Sequence, residues 1–193
     1  MIIASILENR NFEKRIAITP EIAKKYISLG LEVFLSKNYG AHLGITDEEY
    51  HDVGVKTSND EKKILNDANV IVQLGLPSND KCSLLKQDQT LIGALNPYDN
   101  KNELDILIKK KINVFSLELL PRITRAQSMD ILSSQANLAG YKAVIESFAN
   151  FEKAIPMMMT AAGTIPAAKV LVLGAGVAGL QAQTGSLYSH VGP

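Results

Sequence analysis

The sequence predicts an α/β protein whose first domain is built on a doubly wound parallel sheet. Short apolar runs alternate with amphipathic helical segments, which is the βαβ pattern of such sheets. A glycine-rich turn follows one apolar run near residue 174. Hydrophobic residues make up 46% of the 193 residues, enough to cover both faces of a sheet. We therefore expect a complete first domain, a long linking helix and the start of a second domain.

The strands of the first domain are predicted at five apolar runs that are rich in β-branched residues. These runs are Ile2–Leu7, Leu31–Leu35, Val70–Leu74, Thr90–Leu95 and Asn113–Leu117. Helices are predicted between them: from Thr19 to Gly30, Thr46–Tyr50, Asn59–Asn66 and Asn102–Lys110, with a shorter helix or turn at Leu84–Gln87. Because Pro121 closes the last strand, residues 1–121 are predicted to form a flavodoxin- or Rossmann-like N-terminal domain.

Typical capping residues mark the ends of these helices. Thr19 precedes Pro20, the preferred N-cap and first helical residue. Gly30 suits the left-handed C-terminal position, and Lys109–Lys111 suit the negative end of a helix dipole.

The longest helical pattern runs from Arg122 to Asn150 and belongs to a linking segment, residues 122–155. Thr124 and Gln127 have the spacing of a capping box, which predicts the start of the helix there. One side of the helix is polar and then becomes apolar. The polar part comprises Gln127, Asp130, Ser133, Ser134, Asn137 and Tyr141, and the apolar part comprises Val144, Ile145 and Phe148. The polar part is either an ordinary solvated face or a surface that faces a ligand.

A glycine motif follows the predicted strand Lys169–Leu173. Gly174, Gly176 and Gly179 have the G-x-G-x-x-G spacing, which allows a tight turn, close approach of a pyrophosphate and close packing of a helix. The alternative is a glycine-rich strand exit that binds nothing. Residues 156–193 are thus predicted to start an incomplete dinucleotide-binding domain. Thr184–Ser186 are expected to break its helix, residues 187–193 show no helical period, and the ribose-binding acid would fall beyond Pro193.

Composition excludes several classes of function. Twenty basic residues balance twenty acidic ones at a pI near 6.8, which argues against nucleic-acid binding and a polybasic membrane surface. Cys82 is the single cysteine, so no intrachain disulfide forms and a reducing compartment is expected. The N-terminus lacks the features of a signal peptide. Residues 154–182 carry one charge, but Pro156, Pro166 and repeated glycines argue against a membrane span. The three histidines are scattered, so no metal site is predicted.

Three segments resemble a known family. Arg122–Phe148 and Pro156–Ala182 resemble the NAD(H)-binding α subunit of proton-translocating NAD(P) transhydrogenases, as does Arg15–Glu21, RIAITPE. The resemblance implies two Rossmann-like domains with NAD(H) between them. It also implies a cytoplasmic homodimer, held at the inner membrane by membrane-embedded and NADP(H)-binding partner subunits. Hydride would pass directly from NADH to NADP⁺ on the partner, coupled to proton translocation.

The same resemblance implies two groups of site residues. The cofactor would contact Arg122, Ile123, Thr124, Gln127, Asp130 and Ser133 on one side and Gly174, Ala175, Gly176, Val177 and Gly179 on the other. Gln127, Arg122 and Asp130 are the implied catalytic residues. Arg122 would pair with Asp130, Ser133 would bind the carboxamide, and Gln127 would lie at the junction with the partner. Ala167 departs from the family, which usually has a second proline there.

Two other interpretations remain open. Alanine dehydrogenases share the architecture and resemble this chain at Arg15, but they use a lysine within the strand segment 71–77 and a histidine within 94–97, both missing here. Oxidative deamination requires groups that move protons. The third interpretation is a non-catalytic chain that docks or dimerises without binding cofactor.

Overall fold

A six-stranded parallel sheet organises the first 121 residues of the computed structural model, which describes residues 1–188. Its strands are β1 Ile2–Ser5, β2 Glu32–Ser36, β3 Lys56–Ser58, β4 Val70–Val72, β5 Thr90–Gly93 and β6 Asn113–Ser116. The strand order is β3-β2-β1-β4-β5-β6, and every pairing is parallel. This is the order of a doubly wound sheet, so the predicted fold class is confirmed.

Five helices connect the strands of this first unit. They are α1 Pro20–Ser28, α2 Asp47–Asp52, α3 Glu61–Asp67, α4 Asn79–Leu84 and α5 Lys101–Lys109. The Thr19 hydroxyl accepts a hydrogen bond from the Ile22 amide, as the predicted N-cap requires. Gly30 adopts a φ of 79°, the left-handed conformation predicted for the end of α1.

Apolar side chains cover both faces of the sheet. Ala4 and Phe34 face one buried cluster, whereas their neighbours Ile3 and Leu35 face the other. Adjacent residues of a strand point to opposite faces, so a sheet covered on both sides needs apolar residues at nearly every position. That requirement explains why the strands inside the sheet, unlike the edge strand β3, are rich in apolar residues.

Two elements of the first unit differ from the prediction. The edge strand β3 was not predicted, because its sequence Lys-Thr-Ser is polar and an edge strand of three residues needs no apolar run. The helix α4 lies at Asn79–Leu84 rather than at Leu84–Gln87. Burial of Cys82 explains the shift, since this side chain faces the core and places the helix before Leu85.

A second compact unit begins at Arg122. It contains helix α6 Ile131–Ala149, a hairpin of antiparallel strands β7 Met158–Thr160 and β8 Gly163–Ile165, and helix α7 Val177–Tyr188. Helices α6 and α7 pack against each other, with Gly185 of α7 beside Val144 of α6. Within residues 1–188, no helix is both long enough and apolar enough to cross a membrane.

The long helix begins later than predicted. Thr124–Met129 form a 3₁₀ segment without a side-chain cap, so the predicted capping box of Thr124 and Gln127 was wrong. The α-helix starts at Ile131, and Asp130 is its N-cap because its carboxylate accepts a hydrogen bond of 3.0 Å from the Ser133 amide. An ionised carboxylate at this position also interacts favourably with the helix dipole, which a threonine hydroxyl cannot match.

Two further predictions for the second unit were wrong. Lys169–Leu173 has no regular secondary structure and belongs to no sheet among residues 1–188, because a strand forms only where a partner strand is available. Helix α7 also continues through Thr184–Ser186 to Tyr188. The Thr184 and Ser186 hydroxyls bond to backbone carbonyls within the helix, and Gly185 fits against Val144, so these residues do not break it.

Candidate functional site

A groove of about 410 Å³ lies along the start of α6 in the second unit. Its polar lining residues are Gln127, Ser128, Asp130, Ser133, Ser134 and Asn137, and its apolar lining residues are Met129, Ile131 and Val177. Five of the six residues predicted to form the polar face therefore line one concave surface. Val177 belongs to the glycine motif, so the two predicted groups of site residues meet in this groove.

The floor of this groove is fixed by local hydrogen bonds around Asp130. Its carboxylate accepts bonds from the Ser133 hydroxyl at 2.6 Å and from the Ser133 amide at 3.0 Å. These bonds, the hydroxyl bond first, lower the pKa of Asp130 below its usual range, with a smaller contribution from the charge of Arg122. Asp130 is thus ionised at neutral pH.

Arg122 does not pair directly with Asp130. Among the described residues, no ion pair joins the two side chains, and Arg122 is exposed. The expected ion pair is therefore absent among the described residues, and the carboxylate of Asp130 instead accepts hydrogen bonds from the hydroxyl and amide of Ser133. Ile123 and Thr124 are also exposed and, like Arg122, are not among the residues that line the groove.

The 3₁₀ segment holds Gln127 at the rim of the groove. Ala126 is buried and donates its amide to the Ile123 carbonyl at 2.9 Å, which anchors the turn. Gln127 follows Ala126 and is exposed, so its amide group is available to a ligand or partner. The 3₁₀ segment thus buries the side chain of Ala126 and exposes that of the next residue, Gln127.

The glycine turn has the geometry that its spacing predicts. Gly174 has a φ of 113°, a conformation that side chains disfavour. A Cβ on Gly179 would lie 2.1 Å from the Gly174 carbonyl oxygen, so the helix can begin this close to the turn only with glycine there. No heavy atom outside its immediate neighbours comes within 4 Å of a Cβ built on Gly176. The middle glycine therefore faces open space.

A second groove of about 620 Å³ adjoins the same turn. Its lining includes Gly174, Ala175 and Gly179 of the motif together with Val170 and Leu180. The first amides of α7 have no partner within the helix, and the positive end of the helix dipole lies at the turn. The chemistry of this turn fits an anion such as a pyrophosphate, and the neighbouring hydroxyls and amides fit a neutral carboxamide.

Three polar residues that line the first groove were not among the predicted cofactor-binding residues. Ser134 and Asn137 belong to the polar face of α6 and could have been added from the same helical period. Ser128 lies in the 3₁₀ segment, which has a different period, and no signal in the sequence identified it.

A separate polar cluster lies in the first unit at the carboxyl ends of β1 and β4. Gln73 is buried, and its side-chain oxygen accepts hydrogen bonds from the Ser5 hydroxyl at 2.6 Å and the Ile6 amide at 2.9 Å. One oxygen of Glu8 accepts the Leu74 amide at 2.6 Å and the Gln73 side-chain amide at 3.2 Å. These groups satisfy one another, so Gln73 offers no free polar group to a ligand.

The sheet order and the glycine turn at the start of a helix define a class, the α/β proteins with Rossmann-like domains. Within that class, the chain belongs to the alanine dehydrogenase/PNT family. Residues 6–139 match the family's N-terminal domain, and residues 143–187 match its C-terminal domain. The family expected from the sequence is therefore confirmed.

The chain is similar to transhydrogenase subunits along most of its length. It is 48% identical over 186 residues to the first part of NAD(P) transhydrogenase subunit alpha from Rickettsia prowazekii, which covers 94% of this chain and 49% of the relative. The subunit of the same name from Rhodospirillum rubrum is 45% identical over 187 residues, with the same coverage of 94% and 49%. The chain thus spans about half the length of the curated relatives that it matches.

Solved structures give the same relationship. The transhydrogenase of Sinorhizobium meliloti superposes with a TM-score of 0.93 at 41% identity, covering 98% of this chain and 57% of that one. An L-alanine dehydrogenase superposes with a TM-score of 0.80 at 21% identity, covering 97% and 52%, which shows the shared fold alone.

Proposed function

We propose that this chain is a portion of the NAD(H)-binding component of a proton-translocating NAD(P) transhydrogenase. Residues 1–121 form its first domain, residues 122–155 the linking helix, and residues 156–193 the start of its NAD-binding domain. The observation that carries this proposal is the groove that joins Gln127, Asp130 and Ser133 to Val177 of the glycine turn. The relatives that are similar over most of this chain are named as transhydrogenase subunits, which supports the same assignment.

The glycine turn would hold the phosphates of the dinucleotide. Gly174, Ala175 and Gly176 bring the backbone close to the pyrophosphate, and the positive end of α7 favours its charge. Val177 lines the groove that leads from this turn to the polar face of α6. Gly179 allows the helix to start at the turn. The turn thereby binds the cofactor and directs its other end along α6.

The polar face of α6 would orient the nicotinamide. The Ser133 hydroxyl donates a hydrogen bond to Asp130, so the hydroxyl oxygen can still accept a hydrogen bond from the carboxamide NH₂. Gln127 lies at the rim, where it would meet the NADP(H)-bearing partner subunit. Arg122, Ile123 and Thr124, exposed in the preceding segment, would contact the cofactor from outside the groove. Arg122 also supplies positive charge near Asp130.

The ionisation state of the groove's titratable side chain is compatible with direct hydride transfer. NADH supplies the hydride when bound, and its transfer to NADP⁺ needs no acid, base or nucleophile from the protein. Asp130 is the titratable side chain in the lining of the groove, and its lowered pKa keeps it ionised near neutrality. It is thus poorly suited to exchange protons as a general acid or base. The residues would act by positioning.

The relatives are named as subunits, which supports an assembly with other subunits. We propose further that the chain works as a homodimer docked on membrane-embedded and NADP(H)-binding partner subunits, at the cytoplasmic side of the inner membrane. In this arrangement, hydride transfer is coupled to proton translocation by the partners.

Titration with NADH tests the proposed site. Ser133→Ala removes the hydroxyl that orients the carboxamide and should weaken NADH binding about tenfold, as expected for one hydrogen bond. Ser147→Ala is the matched control, because Ser147 lies on the same helix, bonds only its own turn and lines neither groove. NADH fluorescence gives both dissociation constants. Equal affinities for the two variants would contradict the proposed role of Ser133, and absence of NADH binding by the unmodified chain would contradict the proposed function.

A second variant separates binding from transfer. Gln127→Asn shortens the side chain at the rim and should slow hydride transfer to an NADP⁺ analogue on the partner subunit far more than it weakens NADH binding. Single-turnover kinetics with the partner subunit measures the first quantity and fluorescence measures the second. Equal losses in both would refute the junction role.

A further inference from the structure

We infer that Gly140 is a positioning residue, which sets the distance between the polar face of α6 and the glycine turn at the start of α7. This inference rests on the function proposed above. Gly140 is buried in the middle of α6, where glycine is otherwise unfavourable. Its place in the helix therefore needs a reason other than helix formation.

That reason is the approach of the α7 backbone. A Cβ built on Gly140 would lie 2.2 Å from the carbonyl oxygen of Ala178 and 2.9 Å from its Cα. Both atoms belong to the backbone, so no rotation of a side chain could relieve the contact. Real Cβ atoms stay at least 3.0 Å from such neighbours. Any side chain at position 140 would therefore force the two helices apart by roughly 1 Å at this point.

The contact lies directly beside the proposed cofactor groove. Ala178 follows Val177, and Gly140 lies one helical turn after Asn137. Val177 of α7 and Asn137 of α6 both line the groove. The close contact of Gly140 with Ala178 therefore sets the separation of the two helices next to these lining residues.

A second glycine of the same helix pair behaves differently and provides a control. Gly185 of α7 packs beside Val144 of α6, but a Cβ built on it would lie 3.7 Å from the nearest atom of Val144, an ordinary contact. Both glycines are in helices and both face the other helix. Only the one beside the groove lacks room for a methyl group.

The consequence for the proposed cofactor is a loss of alignment. A displacement of about 1 Å in a positioning group can lower a rate about a hundredfold. Separating α6 from α7 would move the groups that hold the carboxamide away from the turn that holds the phosphates. One cofactor could then no longer satisfy both groups.

The test compares Gly140→Ala with Gly185→Ala in the full chain. NADH fluorescence should show a dissociation constant at least tenfold higher for Gly140→Ala and within twofold of the unmodified chain for Gly185→Ala. Hydrogen–deuterium exchange should show faster exchange of Gln181–Thr184 in Gly140→Ala, because these amides bond to the carbonyls of the first turn of α7, while α6 and residues 1–121 keep their protection.

Three results would overturn the inference. The first is Gly140→Ala with unchanged NADH affinity and unchanged exchange at Gln181–Thr184. The second is equal loss of affinity in both variants. The third is loss of protection throughout α6 and α7 in Gly140→Ala, which would assign Gly140 to the stability of the unit rather than to positioning. If the unmodified chain binds no NADH, the proposed function fails, and the exchange data still decide whether Gly140 sets the position of α7.

Discussion

Buried polar side chains in this protein form hydrogen bonds with backbone groups where a strand ends and the sheet no longer pairs them. Gln73 binds both the amide and the carbonyl of Ile6, at 2.9 and 3.3 Å, just after β1 ends. The Tyr39 hydroxyl lies 2.7 Å from the Ser5 hydroxyl and accepts the Ala17 amide at 3.1 Å. Buried polar groups of this kind must be paired, and no side-chain polar atom buried among the described residues lacks a partner. The cluster therefore stabilises the loop that follows β1.

The environment of Glu8 predicts how this residue changes stability with pH. Burial raises the pKa of Glu8, although the hydrogen bonds from Leu74 and Gly75 partly oppose this effect. The folded state then binds a proton more readily than the unfolded state, so the contribution of Glu8 to stability increases as the pH falls. The change spans the interval from the raised pKa down to the ordinary glutamate value of about 4.3. Glu8→Gln should remove this component, as measured by urea denaturation at several pH values from about 7 to about 4.5.

Glu13 provides a control of opposite sign in the same loop. Its hydrogen bond to Arg15, with a salt bridge of 2.6 Å, lowers the pKa of Glu13. Its contribution is present above the ordinary pKa and is lost as the pH falls through the lowered value. Glu13→Gln should thus make the chain less sensitive to acid. If Glu8→Gln and Glu13→Gln altered the pH dependence in the same direction, the explanation for Glu8 would be wrong.

The positions of the helices and strands in this protein depend on packing contacts as well as on the intrinsic preferences of the residues for helix or strand. The helix patterns and caps of the first unit were predictable because Thr19, Pro20 and Gly30 act within a few residues of one another. The start of α6 was not, because Thr124 and Asp130 both have the composition of an N-cap and the choice depends on burial of Ala126. Lys169–Leu173 has the composition of a strand, but strand formation depends on a partner that sequence pattern does not reveal.

The close contact between β5 and the end of β4 predicts which glycine in this part of the sheet can be replaced without loss of stability. A Cβ on Gly93 would lie 2.3 Å from the Gln73 carbonyl oxygen, so the two strands can run this close only with glycine there. Gly93→Ala should lower the free energy of unfolding by about 3 kcal/mol through overpacking. Gly75→Ala is the control, since its Cβ would lie 3.7 Å from the Glu8 carboxylate, and its effect should stay within about 0.5 kcal/mol. Denaturation with urea measures both, and similar effects of the two substitutions would show that the contact at Gly93 is not limiting.

The whole molecule consists of two units with different degrees of burial. Both apolar clusters of the sheet are formed by residues 3–112, and all six strands end before residue 117. The second unit instead exposes many large apolar side chains, such as Leu171 at 81% and Leu173 at 88%. Stability should therefore reside chiefly in the first unit.

This division predicts the behaviour of residues 1–121 expressed alone. We expect this segment to fold with one cooperative urea transition, because both of its buried apolar clusters, as far as residues 1–188 show, consist of residues of the segment itself. Its slope should fall within the range of about 1–3 kcal/mol/M for small domains. Circular dichroism and near-ultraviolet signals should change together. A non-cooperative transition, or loss of the tyrosine signal before the helical signal, would show that the first unit depends on the second.

The fold and the family could be predicted from the sequence, but the distances within the candidate site could not. The sheet followed from alternating apolar runs, and the polar face of α6 followed from its helical period, as Ser133 and Asn137 show. The contact of Gly140 with Ala178 could not be inferred, because it joins residues 38 positions apart through backbone atoms that any sequence would possess. A sequence pattern identifies the polar face of a helix, whereas the distance from that face to a neighbouring helix depends on packing.

The unpaired apolar segment Lys169–Leu173 affects the behaviour of the chain in solution. Its backbone forms no ladder within residues 1–188, and the exposed fractions of Val170 and Leu173 are 48% and 88%. An apolar ribbon of this kind is a template onto which an identical ribbon from a neighbouring molecule can add, and such growth leads to aggregation. Lys169, the one charge in this segment, opposes stacking of identical copies by repulsion. Turbidity should accordingly rise with protein concentration and with salt, which screens that charge.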